Sequence, residues 1–256
     1  MRYQCTTGLD SEQLTELVSR ITQVEESRPS GNGRPMMLGL HDQVVMVLMM
    51  LRQNPNQMTV ADLFGVSQPT VSRIWRRVLP LLEAVTCLHG QALEDAVRGR
   101  VVLVDGTYIP TGNRAATGRE NYSGKRHCQC LSVQVAADLD GTLLSVSDPV
   151  PGARHDAAAI VLTGWDRALV EVDWIADSAY SATTATTPIR KPPGRDLTES
   201  QKTFNLDVSS FRCAVERCIA HLKNWKILAT GYRARLNELP AIIRITTKLE
   251  LYRLGW

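Results

Sequence analysis

Apolar residues recur at helical spacing up to about Ala96 and shift to strand-like runs from Arg100 onward. Leu14, Leu17, Val18 and Ile21 fall at i, i+3, i+4 and i+7. That predicts an amphipathic helix over Asp10–Glu26, capped by Asp10 or Ser11. Pro29-Ser30-Gly31-Asn32-Gly33 reads as a loop. His41–Gln53 predicts a strongly apolar helix, ended by Pro55 and Asn56. It holds the longest apolar run in the chain, Val44–Leu51, which is too short to cross a bilayer.

Residues 58–77 carry a denser pattern. Thr59 is expected to cap a short helix, and Gly65 to supply the positive φ of a tight turn. Ser67 is expected to cap the next helix, with Pro69 tolerated in its first turn. Val60, Phe64, Val66, Val71 and Ile74 make a mini-core, with small Ala61 where the helices cross. This is a helix-turn-helix pattern over about residues 58–78. Its second helix is expected to expose Gln68, Thr70, Ser72, Arg73, Arg76 and Arg77, groups that bond base edges and phosphates. A plain helical hairpin with a basic face would share the pattern.

From Arg100 the elements are short. Arg100–Thr107 is a buried-strand run that ends in Asp105, Leu131–Val135 alternates with period two, and Leu143–Ser147 follows the Asp140-Gly141 turn signal. His155-Asp156 opens a helix through Leu162. Val172–Asp177 is another strand ending in a carboxylate. Residues 181–207 read as an irregular insertion, and helices follow over Val208–Leu228 and Leu239–Leu254. Three antiparallel-type strands, a parallel addition and flanking helices give the order of a ribonuclease-H-like α/β layer. The expected organisation is an all-α domain over residues 1–96 and a mixed-sheet domain over 97–256.

Composition narrows the classes. With 44% hydrophobic and 21% charged residues, the chain is neither disordered nor fibrous. A formal net charge of +3 is only mildly basic. The N-terminus has no apolar signal core, so a cytoplasmic protein with no membrane partner is expected. The six cysteines form no C-x-x-C pair, which points to free thiols, although Cys213, Cys218 and His221 have a spacing that zinc could use.

Asp105 and Asp177 both close apolar strands, where an isolated carboxylate is costly unless it caps, pairs or binds a cation. Glu216 lies on a helix with Arg212 four residues before it and Lys223 seven after, on nearly one face. Such a stripe is commonly a solvated face, but beside two carboxylates it supplies a third oxygen donor and two phosphate-binding cations.

These residues carry a resemblance. Asp105-Gly106-Thr107, Asp177-Ser178-Ala179-Tyr180 and Arg212-x3-Glu216-x6-Lys223 resemble the signature blocks of DDE transposases, most closely the bacterial insertion-sequence branch related to Harbinger-like elements. Ser209 stands where the family's last block has Tyr. Asn121–His127, Pro149-x-Pro151-Gly152-x2-His155-Asp156 and Leu222–Leu228 resemble further blocks in the same order, so the likeness spans about residues 35–250. It implies a transposase with Asp105, Asp177 and Glu216 as catalytic carboxylates that hold Mg²⁺, or Mn²⁺ in its place. Arg212 and Lys223 would neutralise DNA phosphate, and His155 and Asp156 would serve as secondary site residues. The implied partners are double-stranded DNA, at the element's terminal inverted repeats and at the target, and a second copy of the chain in the DNA complex. The implied location is the nucleoid. Two other readings share these features: a non-catalytic helix-turn-helix regulator descended from a transposase, and a related Mg²⁺-dependent nuclease. Trp225 is open between core packing and base stacking.

Overall fold

The computed structural model describes residues 3–27, 37–86, 93–112 and 118–255. The loop expected at Pro29–Gly33 and Cys87 lie outside them. The chain divides into two compact units. One comprises Met1–Gly90, Lys223–Thr230 and Ile245–Trp256; the other comprises Gln91–Leu222 and Gly231–Arg244. The boundary therefore differs from a single cut near residue 96, because two C-terminal segments belong with the N-terminal helices.

The helical unit begins with α1 (Tyr3–Thr7) and α2 (Ser11–Glu26). Asp10 caps α2 in a capping box with Gln13, so two orphan amides are satisfied at once. Leu14, Leu17 and Ile21 form its buried stripe. Helix α3 (Leu40–Gln53) ends at Asn54, which takes the left-handed conformation that closes helices before Pro55. Helix α4 (Gln57–Phe64) is capped by Asn56, whose side chain accepts from the Thr59 amide at 2.8 Å. Thr59 thus lies one turn inside the helix it was expected to open. Gly65 makes the turn at φ 63°, and α5 (Gln68–Val85) follows. Ser67 holds the cap position of α5, but its hydroxyl pairs with Thr70 Oγ1 at 2.9 Å rather than with a backbone amide. Val60, Ala61, Val71 and Ile74 are buried, whereas Phe64 and Val66 are half-buried.

The C-terminal segments complete this core. Trp225 is fully buried and donates from Nε1 to Glu250 Oε2 at 2.8 Å. Glu250, itself only 2% exposed, accepts two bonds from Arg253, and the Arg52 guanidinium lies 5.2 Å from the Trp225 ring. Gly8 passes so close that a Cβ would lie 3.0 Å from the Trp225 ring. Trp225 is a core residue, not a stacking platform.

The second unit opens with α6 (Leu93–Ala96) and a mixed sheet. Strand β1 (Val102–Pro110) runs antiparallel to β3 (Cys128–Ala137), from Leu103↔Ala137 to Pro110↔Cys130. The other edge of β3 carries β2 (Tyr122–Ser123), β4 (Leu143–Val146) and β5 (Val150–Pro151), all antiparallel. After α7 (Asp156–Leu162) and α8 (Trp165–Ala168), β6 (Trp174–Ile175) joins β1 in parallel. Helix α9 (Glu199–Leu222) packs on β1 and β3. Helix α10 (Leu239–Arg253) follows, and the division between units falls within it.

Two expectations change here. Strand β1 continues five residues past Asp105, so Asp105 lies mid-strand rather than at its end. Residues 130–137 of β3 are buried on both faces rather than alternately, because α7 and α9 both pack on this strand. The expected antiparallel set with one parallel addition is the observed topology. No helix among the described residues is long and apolar enough to cross a membrane.

Candidate active site

The parallel pairing of β1 and β6 aligns two of the carboxylates. Leu103 pairs with Ile175, and Asp105 and Asp177 each follow two residues later. Asp105 accepts from the Gly106 amide at 2.9 Å. Asp177 caps a single 3₁₀ turn (Ser178–Tyr180) and accepts from the Ala179 amide at 2.8 Å. Asp105 is thereby held by the first amide after it and Asp177 by the second, which limits both rotamers.

A third carboxylate comes from α7. His155 is the N-cap, its Nδ1 accepting from the Ala158 amide at 3.2 Å, and this places Asp156 at the first helical position. A Cβ on Gly106 would lie 2.3 Å from Asp156 Oδ1 and 3.2 Å from the Tyr180 hydroxyl. Gly106 is thus the residue that admits both groups to the sheet surface. The electrostatics agree with this closeness. Burial raises the Asp105 carboxyl to about 6; Arg212 opposes the shift, and Asp177 and Asp156 add to it. Asp156 is also raised, first by burial, with Lys125 opposing and Asp177 adding.

Beneath these groups lies a buried polar pair. Tyr180 is fully buried, stacks edge-on against Trp174 at 5.9 Å and donates its hydroxyl to Gln134 Oε1. Burial and the three carboxylates push its ionisation upward, so it stays a neutral donor. Gln134 sits directly across from Gly106 in the β1–β3 ladder and is fully buried. Its Nε2 has no protein partner, a cost of about 1–3 kcal/mol that function must offset. Reading the sequence missed Gln134; a polar residue in an otherwise apolar central strand was the available signal.

Helix α9 contributes Arg212 and Glu216. Arg212 is 18% exposed, acts on Asp105 and lies 3.5 Å from Glu216. Glu216 itself is 57% exposed and points to this guanidinium. Arg212 therefore acts on both Asp105 and Glu216, and Asp105, Asp177 and Glu216 do not form the one tight cluster expected of them. Among the described residues no three His, Cys, Asp or Glu side chains close on a single point. Lys223 belongs to the other unit and is half-buried. Cys218 is buried, while Cys213 and His221 are exposed.

All four acidic residues fall inside one family match. The model for DDE superfamily endonucleases matches residues 104–250, and that for the helix-turn-helix of DDE superfamily endonucleases matches residues 37–87. A protein of Streptomyces albus G, described as a transposase for insertion sequence element IS112, is 30% identical over 223 residues, which cover 86% of this chain and 83% of that protein. The chain belongs to the DDE transposases of insertion sequences. A second relative in Microchaete diplosiphon, described as a transposase for insertion sequence element IS702, is 26% identical over 225 residues, 84% of this chain and 81% of that one. No solved structure matches the chain.

In the transposase's helix-turn-helix match, α5 is the second helix. Arg73 and Arg76 are exposed, and Gln68, Thr70 and Ser72 are half-buried. Gln68 Nε2 bonds Gln57 Oε1 at 2.5 Å, which orients its amide. Arg77 departs from expectation. It is 28% exposed and reaches Glu25 of α2 at 3.6 Å. The sequence places Arg77 on the exposed face with Arg73 and Arg76; the packing of α2 against α5 claims it instead.

Proposed function

We propose that the chain cuts and joins DNA strands at the ends of an insertion sequence by metal-assisted phosphodiester hydrolysis and transesterification. The observation that carries this reading is the register of β1 and β6, which sets Asp105 and Asp177 side by side with Asp156 over Gly106. The donor set fits divalent cations. Mg²⁺ is commonly held by one or two carboxylates plus substrate phosphate, so a closed three-residue cage is not required. Asp105 and Asp177 would hold the ions, and Glu216 would join once Arg212 turns to the DNA. Mg²⁺ or Mn²⁺ held by Asp105 and Asp177 would supply an activated water and charge stabilisation for the leaving oxygen.

The protein's own groups do the positioning. Arg212 neutralises the phosphate at the cut, since its Nε is buried without a partner and its charge already faces the carboxylates. Tyr180 and Gln134 floor the site and keep water out from below. Arg73 and Arg76 carry phosphate contacts on α5, with Gln68, Thr70 and Ser72 nearer the bases. In this reading the sheet unit is ribonuclease-H-like, the complex on DNA is a dimer, and the protein works at the nucleoid.

Asp177→Asn tests the proposal. It keeps the acceptor for the Ala179 amide but removes a charge that the cations share. Nicking of element-end DNA in Mg²⁺ should become undetectable, with near-parental binding in EDTA. Equal nicking by parent and variant refutes the mechanism; binding by both with nicking by neither supports the regulator reading.

A further inference from the structure

Beside the carboxylates lies a cavity of about 340 Å³ that the reaction scheme leaves unused. Its walls are the turn at 123–126, the turn at 152–156 and β1 residues 106–108. Three cations line it: Lys125, Arg126 and Arg154, all exposed, with His155 next to them. Among the described residues no carboxylate lies within ion-pair distance of any of the three cations. Asp156 is the one acidic residue in the lining; it sits against Gly106 and acts on Lys125 and Arg126.

The cavity is a built feature. The Arg126 guanidinium sits 4.8 Å from the Tyr108 ring centroid, so its charge is held at the wall. The Arg126 amide donates to Ser123 Oγ at 3.3 Å, and His127 takes a positive φ of 51° to complete the turn. Across the cavity, a Cβ on Gly152 would lie 2.4 Å from the Cys130 carbonyl, so that wall has no slack. Burial raises the Cys130 thiol to about 11, so it brings no negative charge. Asp156 offsets part of the charge of Lys125 and Arg126, and three cations against one carboxylate around a concave space leave a net positive charge that an entering anion would balance. The volume is at the small end for ligand sites and suits one polar unit rather than a peptide.

We propose that this pocket grips the DNA phosphodiester adjoining the one that is cleaved, with Lys125, Arg126 and Arg154 as its ligands. The inference rests on the transposase reading. It adds a second hold on the reacting strand, so that the scissile phosphorus is set against Asp105 and Asp177 by its neighbour.

The test pairs Lys125→Gln/Arg126→Gln in the full chain with element-end DNA carrying one neutral methylphosphonate next to the cut. In the parent, that methylphosphonate should lower nicking in Mg²⁺ at least tenfold. In the double variant it should cause no further loss, and the slope of log K against log salt in EDTA should fall by about 1. An equal methylphosphonate penalty in parent and variant, or an unchanged salt slope, overturns the pocket assignment alone. A parent that neither nicks nor binds natural element-end DNA overturns the transposase reading and the pocket with it. Inhibition of nicking by inorganic phosphate in the parent but not the variant would support the pocket; no inhibition in either would count against it.

Discussion

Replacing Asp105 by Asn should make the metal-free protein more stable while destroying its activity. The carboxyl stands at about 6 against an ordinary value of 3.8, because burial and the neighbouring Asp177 and Asp156 disfavour its charge more than Arg212 favours it. A carboxyl raised in the folded state contributes stability that is complete below about pH 4 and lost as pH rises through about 6. Two pKa units at 1.36 kcal/mol each come to about 3 kcal/mol lost by neutral pH. Asn avoids that loss and keeps an oxygen for the Gly106 amide. For a chain of this size the gain corresponds to on the order of 6–12 °C in melting temperature. The assay is thermal unfolding of parent and Asp105→Asn in EDTA from pH 4 to 8. The two should coincide near pH 4 and separate as pH rises, with the variant the more stable at pH 7.5. A variant less stable than the parent at pH 7.5, or a difference that ignores pH, would show that Asp105 is not the strained group described here.

The recognition helix should divide by function. Arg73→Ala and Arg76→Ala should each reduce the salt slope of DNA binding by about 1 with little change in unfolding, whereas Arg77→Ala should leave the slope alone and cost up to ~1 kcal/mol through Glu25; a slope change for Arg77→Ala measured by fluorescence anisotropy would restore it to the DNA face. Gly106→Ala should force Asp156 off β1, cost about 1–3 kcal/mol and abolish nicking, and crystallography showing Asp156 unmoved in an active variant would rule this out.

Much of this architecture was readable from local pattern. The apolar stripe of α2, the Gly65 turn and the strand at Val102 follow from spacing that burial alone enforces. Helix α9 was legible only from Val208, its first buried residue; Glu199–Asp207 are mostly exposed and carry no apolar period, though they are helical. Asp105 and Asp177 stood out because charge is rare beside apolar strands. What local pattern could not supply were the nonlocal meetings. Asp156 reaches Asp105 because Gly106 lacks a side chain, and Arg77 turns inward because α2 brings Glu25. Both depend on contacts made over roughly fifty residues of intervening chain, which a window of eleven to eighteen cannot see.

The buried Trp225–Glu250–Arg253 cluster ties the helix-turn-helix unit to the order of synthesis. Domains fold as units when their residues leave the ribosome, the N-terminal ones ordinarily first. Here the first ninety residues lack a fully buried tryptophan and the helix that bonds it until residues 245–256 have been made. A nascent chain that stops short therefore carries Arg73 and Arg76 on an incomplete core. The core of the helical unit is therefore complete only once Trp225 and Glu250 are both in place, so the loss of either should loosen the helix-turn-helix with it.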